Sequence, residues 1–183
     1  MLPSGRPNLN RQQALELLGE WDFDVHPIAI LGIRGYYENS MGKPNQNDIG
    51  IYDDACCVIT KEKFRTFNFN TDPSSMGEGR AMLDLGTWHS YKLGKHKNQY
   101  LAVVQRMAKV RVIRKDSSAP KGFRYATGWF GINIHKGGVN TTGSLGCQTI
   151  PPSQWEEFIH LVESSQKNLG RKDGLISYKL IQN

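Results

Sequence analysis

A thiol, an imidazole and several glycines lie together near the C-terminal end of this 183-residue chain. They fall in Gly128-Trp-Phe-Gly-Ile-Asn-Ile-His135-Lys-Gly-Gly-Val-Asn-Thr-Thr-Gly-Ser144-Leu-Gly146-Cys147-Gln-Thr-Ile150. A thiol attacks a carbonyl carbon as its thiolate, and a nearby imidazole can take the proton and later return it to a leaving group. His135 and Cys147, twelve positions apart, are the two residue types this chemistry needs. Read as a strand, residues 128–135 put Phe130, Ile132 and Ile134 on one face and Gly131, Asn133 and His135 on the other. The imidazole then leaves the sheet away from the apolar trio. Gly137-Gly138 permits a tight turn, and a second turn from Gly143 to Gly146 presents Cys147. Backbone N–H groups around Gly146 and Cys147 are expected to stabilise an oxyanion. As residue types alone, the pair also fits a buried structural cysteine beside an unrelated loop histidine.

Short apolar or alternating runs separated by glycine supply the framework: Ile28 to Ile33, Ile49 to Thr60, Phe64 to Phe69, Thr87 to Tyr91, Tyr100 to Gln105 and Lys109 to Ile113. Such runs predict strands. A helix is expected from about Asn10 to Glu20, with an Asn10/Gln13 capping box and an apolar face of Ala14, Leu17, Leu18 and Trp21. A second helix follows Pro151-Pro152, with a Ser153/Glu156 capping box, a face of Trp155, Phe158, Ile159 and Val162, and a stop at Asn168-Leu169-Gly170. Leu175 to Ile181 alternates like a closing strand. The fold class is therefore mainly β (α+β), one domain over residues 1–183 with two packed helices.

Three cysteines, two of them adjacent, make no disulfide framework, and Cys56 and Cys57 sit in an apolar run where inert buried thiols are the default. No run of about 18 apolar residues exists, so no membrane-spanning helix is expected. Formal charge is +6. Residues 89 to 125 carry ten Lys or Arg against the single Asp116. A concentrated basic surplus suits nucleic acid, anionic lipid or an acidic polymer, or is a solvated face. No zinc-finger spacing, RNA-recognition motif or basic recognition helix supports nucleic acid. His89, His96 and His135 lack metal-ligand spacing, and Asp53-Asp54 would need a distant partner such as Glu78 or Asp84 to act as a glycosidase pair. Trp88, Tyr91, Tyr100 and Trp129 are either groove-lining or half-buried sheet aromatics.

His135 followed by Ser144-Leu145-Gly146-Cys147 resembles the signature of the L,D-transpeptidase catalytic-domain family, a strand-borne His ahead of a Ser/Thr-x-Gly-Cys motif. The resemblance covers about residues 128 to 150. It implies a β-sandwich or barrel in which Cys147 is the nucleophile, His135 the base, and Ser144 and Gly146 part of the catalytic motif. It also implies a backbone carbonyl near Ser144 or Leu145 that orients the imidazole. Asn133, Gly137, Leu145 and Gln148 are expected to contact substrate. The implied substrates are peptidoglycan stem peptides, attacked at a meso-diaminopimelate carbonyl, with no metal and no cofactor. The chain departs from the family in having Leu145 before the Gly, Gln148-Thr149 where an Arg is common, and an eight-residue spacer between His135 and Ser144. Asp72-Pro73-Ser74 and the run Gly86 to Tyr91 match the family's preceding strand and loop.

Met1 to Arg6 do not read as a secretory signal. Together with the basic charge, this suggests by analogy a monomeric bacteriophage endolysin, made in the host cytoplasm and released to the wall by a separate pore. Stem-peptide hydrolysis is the first expectation and cross-link formation the second. A non-catalytic wall-binding module is the rival from another class.

Overall fold

The computed structural model describes residues 1–170 and 173–183. In chain order the elements are α1 (Arg11–Leu18), β1 (Ala29–Arg34), β2 (Asp54–Ile59), β3 (Phe64–Phe69), β4 (Ala81–Leu83), β5 (Gly86–His96), β6 (Tyr100–Gln105), β7 (Val110–Lys115), β8 (Phe123–Gly128), β9 (Ile134–Lys136), β10 (Gln148–Ile150), α2 (Pro152–Leu169) and β11 (Ile176–Gln182). Eight strands form one sheet in the order β10-β9-β6-β5-β11-β1-β2-β3, and β4-β7-β8 form a smaller one. Just beyond β3, Asn70 exchanges both backbone hydrogen bonds with Thr149 of β10, at 3.0 and 2.8 Å. That bridge nearly closes the large sheet into a barrel, which leaves few unpaired edge groups. The protein is thus mainly β with two helices.

Strands β1 and β2 are buried along their whole length because both faces are covered. Their inward residues, Ile30, Cys56 and Val58, join Phe67, Phe69, Tyr91, Tyr178 and the α2 residues Trp155, Phe158 and Val162 in the main core. Their outward residues, Ala29, Leu31, Ile33, Ala55, Cys57 and Ile59, form a second layer under Ala14 and Leu18 of α1. Strand periodicity of two divides one continuous apolar run between two cores.

The Asn10 capping box forms as expected, the Asn10 side chain accepting from Gln13 N–H and the Gln13 side chain from Asn10 N–H. Helix α1 ends at Leu18, and Leu17 is exposed, so the apolar face is narrower than the spacing predicts. At α2 the Ser153/Glu156 box does not form. Pro151 is the N-cap, without a side-chain cap bond, and Pro152 opens the helix with its φ already set. Gly170 stops it in the left-handed region, at φ +61°. Strand Ile49 to Thr60 begins only at Asp54, whereas β5 runs on to His96. The segment before His135 is not a regular strand, because Gly131 sits at φ +66° and breaks it; β9 starts at Ile134. The face pattern survives nonetheless: Ile132 and Ile134 are in the core, Asn133 and His135 face away. Among the described residues no helix is long and apolar enough to cross a membrane.

Candidate active site

Strands β9 and β10 pair in parallel, Ile134 opposite Gln148 and His135 opposite Thr149. One step back, Cys147 lies opposite Asn133, whose N–H points at Sγ from 3.5 Å. Since side chains alternate, Cys147 and His135 occupy the same face of adjacent strands, while Ile134 and Gln148 turn inward. The register therefore puts the expected nucleophile and base on the same face of neighbouring strands, two positions apart along them.

His135 is nearly buried. Its Nδ1 lies 2.8 Å from the Lys136 carbonyl, which accepts the bond, so Nδ1 carries the proton and Nε2 keeps its lone pair. The orienting carbonyl is thus that of Lys136. Ser144 and Leu145, where the family resemblance placed it, do not supply it, because the one Nδ1 proton is given to Lys136; the Ser144 carbonyl instead accepts from Ser74 N–H at 2.8 Å. His96, from the end of β5, stacks on His135 with ring centroids 4.1 Å apart, and its Nδ1 lies 3.1 Å from Asn133 Nδ2. Burial holds the His135 imidazole down to about 4, opposed by the Lys136 hydrogen bond and reinforced by His96 and Lys97.

The Cys147 thiol donates to the Gly131 carbonyl at 3.3 Å. Burial raises its pKa, against the Asn133 N–H and the Lys97 ammonium, which favour the thiolate. The resting pair is consequently neutral thiol and neutral imidazole. Such a pair works by general-base removal of the thiol proton during attack rather than from a preformed ion pair. Cys56 and Cys57 are fully buried, Cys57 pushed up to about 12 and Cys56 raised well above its ordinary value. Iodoacetamide is expected to label Cys147 first in the native protein, with a rate that climbs steeply toward alkaline pH; peptide mapping that finds Cys56 or Cys57 modified as fast would overturn the assignment.

The loop that carries Cys147 is clamped from below. Ser74 Oγ accepts from Ser144 N–H at 2.8 Å and sits 2.7 Å from Thr142 Oγ1, and Tyr52 donates to the Gly138 carbonyl at 2.7 Å. The Ser74 segment is itself tied to buried carboxylates: Asp54 accepts from Thr71 N–H and Gly35 N–H, each at 2.6 Å, and Asp72 lies beside Arg34. Burial raises the pKa of Asp53 to about 6 and that of Asp54 well above the usual carboxylate range. Asp53 and Asp54 are spent holding loops, accepting from Asp48, Gly35 and Thr71 N–H groups, and Asp84 is paired with Arg111.

Ser144 is nearly buried; its hydroxyl donates to the Cys147 carbonyl at 2.6 Å and accepts from Gly146 N–H at 2.9 Å. It shapes the turn. The expected oxyanion role of Gly146 N–H is corrected by that bond, because the donor is already used. Cys147 N–H has no protein acceptor among the described residues and remains available. Gly146 matters through its backbone: at φ +145°, with the Ala81 carbonyl 2.4 Å from where a Cβ would sit, only glycine fits.

The expected substrate contacts divide. Leu145 is 71% exposed and lines a cleft with Cys147. Asn133 faces the site, but its side chain serves Gln105 N–H and His96, which makes it a positioning residue. Gln148 is fully buried, accepting from Tyr178 and donating to the Thr71 carbonyl, so it cannot reach substrate. Gly137 is packed where a Cβ would meet Tyr52 Oη at 2.2 Å, and its N–H is spent on the Ile150 carbonyl. Of the aromatics, Tyr91 is core, Trp88 is half-buried, Tyr100 places its hydroxyl 3.5 Å from His135 Nδ1, and Trp129 is exposed beside a second cleft. The three histidines weighed as a metal set are split, since His89 stacks on His26 and bonds Ser177.

Two clefts meet at Gly131. One, of about 370 Å³, runs along Arg80, Arg114, Phe130, Leu145 and Cys147. The other, of about 260 Å³, runs along Lys95, Lys97, Arg106, Trp129 and Asn133. The sequence pairs His96 with His135 only as metal ligands and names Ser74 only within the segment preceding the motif; the histidine stack, the Ser74 clamp on Ser144 and the Gly131 carbonyl as acceptor of the thiol come from the fold. The turn after His96, with positive φ at Lys97 and Asn98, is the one available signal, because a three-residue turn (Lys97, Asn98, Gln99) between alternating runs returns Tyr100 opposite His96. Comparison of the chain with family models, with curated proteins and with solved structures finds no match.

Proposed function

We propose that the protein is a cysteine-dependent hydrolase of peptidoglycan stem peptides, an L,D-peptidase of endolysin type working through an acyl-enzyme. The observation that carries this reading is the pairing of β9 with β10, which sets His135, with its Nε2 lone pair free, and the Cys147 thiol on one face of neighbouring strands, with Cys147 opening into a cleft. The likeness of the Ser144-Leu145-Gly146-Cys147 motif to L,D-transpeptidases supplies the substrate class.

In the first half-reaction Nε2 takes the thiol proton as Sγ bonds to the stem-peptide carbonyl carbon. The Cys147 N–H is the donor available to the resulting oxyanion. Collapse breaks the C–N bond, and the imidazolium gives its proton to the leaving amine. Water then attacks the thioester, His135 accepts its proton, the carboxylic product leaves, and the proton returns to sulfur. Cross-link formation replaces that water with an amine. The meeting of two clefts at Gly131 favours it as the second reading, since each could hold one peptide. Mass spectrometry of sacculi incubated with the protein, and with protein alkylated at Cys147, tests the proposal. Shortened stems that disappear on alkylation are expected, new dimers would select cross-linking, and an unchanged wall that still retains the protein would select a binding module.

A further inference from the structure

The cleft on the far side of Gly131 from Leu145 has cations and no acid along its walls. Lys95, Lys97 and Arg106 line it with the exposed Trp129, and none of the three cations forms an ion pair among the described residues. Elsewhere in the basic stretch, Arg111 and Arg124 are neutralised by Asp84 and Asp116. The walls of this cleft are also the groups that hold the nucleophile: Gly131 accepts from the Cys147 thiol, and Asn133 N–H points at its sulfur. A ligand seated there lies within a residue's length of Sγ. At about 260 Å³ the cleft accepts one or two small residues and does not track a polyanion along the surface.

We infer that this cleft is a binding subsite for a free carboxylate of the peptide being processed, held by Lys95, Lys97 and Arg106 and packed on Trp129. The inference rests on the peptidase reading and names the substrate feature that the site selects. Exposed cations converging on a concave surface attract an anion more strongly than the same charges spread over a convex one. Arg106 offers a planar fork suited to both carboxylate oxygens, while the lysines act as point charges. Two carboxylates flank the attacked carbonyl of a stem peptide and have this chemistry, the chain terminus and the side-chain carboxylate of the diamino acid.

The experiment is a calorimetric titration of Cys147→Ala protein with a synthetic stem tetrapeptide ending in D-Ala and carrying D-isoglutamine at its second position, so that only the two flanking carboxylates are present. The peptide is used with both carboxylates free, with the terminus amidated, and with the diaminopimelate side chain amidated. Amidating the carboxylate that occupies the cleft is expected to raise Kd at least about tenfold, which also tells the two sources apart. Lys95→Ala and Arg106→Ala, in the same Cys147→Ala background, are expected to weaken the free peptide by a similar factor and the matching amide hardly at all. Lys121→Ala, in the basic stretch but outside the cleft, is expected to change neither. Equal binding of all three peptides, absence of binding, or an equal loss from Lys121→Ala overturns the subsite. Carboxylate-dependent binding by a protein whose Cys147 form cleaves no peptide overturns the peptidase reading and leaves the subsite standing. Cleavage that ignores amidation and both cleft variants does the reverse.

Discussion

Cys147→Ala is expected to lower release of stem-peptide fragments by at least about a thousandfold, the scale seen when a covalent nucleophile is removed. The other two thiols cannot substitute, since Cys56 and Cys57 are sealed in β2. The fold should survive. The sulfur is only partly exposed and makes two long contacts, to the Gly131 carbonyl and the Asn133 N–H, while the loop around it is fixed by Ser144, Ser74 and Thr142. A loss of about 1 kcal/mol corresponds to a melting shift of only about 2–4 °C in a domain of this size. Chromatography of digested sacculi, alongside a thermal melt, checks both parts. A folded Cys147→Ala protein that still releases fragments would end the nucleophile assignment, and Cys147→Ser separates loss of sulfur chemistry from loss of shape.

His135→Ala should slow turnover by at least about a hundredfold, the lower bound for removing a general base. The neutral resting pair makes this dependence strong, because a thiol whose pKa is raised above its ordinary value has little thiolate of its own at neutral pH. Alkaline pH should rescue the variant in part, by ionising the thiol directly. For the protein with His135 intact the sign follows from the depressed imidazole: the base is unprotonated above about pH 4, so the acid limb of kcat/KM is expected near 4 rather than near the ordinary histidine value. Protonating a buried imidazole also favours unfolding on the acid side, where the unfolded chain binds the proton more readily. Circular dichroism over the same pH range separates the two losses. An acid limb near 6.5 in a folded protein would show that His135 is more solvated than its stack with His96 implies.

The chemistry-bearing residues and the mainly β class were legible without coordinates. Alternation of two makes a strand pattern local, so Phe64 to Phe69 and Tyr100 to Gln105 match β3 and β6 residue for residue, and the Asn10/Gln13 box needs only its own backbone. The same locality placed Asn133 and His135 opposite Ile132 and Ile134 even though Gly131 interrupts the strand. What a local pattern does not contain is the identity of the neighbour. Gln148 is expected among the substrate contacts, yet the position after Cys147 on a strand points the other way, into Tyr178. Gly146 reads as an oxyanion donor in the motif, whereas in the fold the Ser144 hydroxyl occupies its N–H. Ser74 lies 70 residues from Ser144, and His96 is brought onto His135 by the pairing of β6 with β9. Such contacts depend on the order of strands in the sheet, which is set by global burial and closure rather than by adjacent residues. So sequence determined which groups could react, and tertiary structure decided which of them are free to.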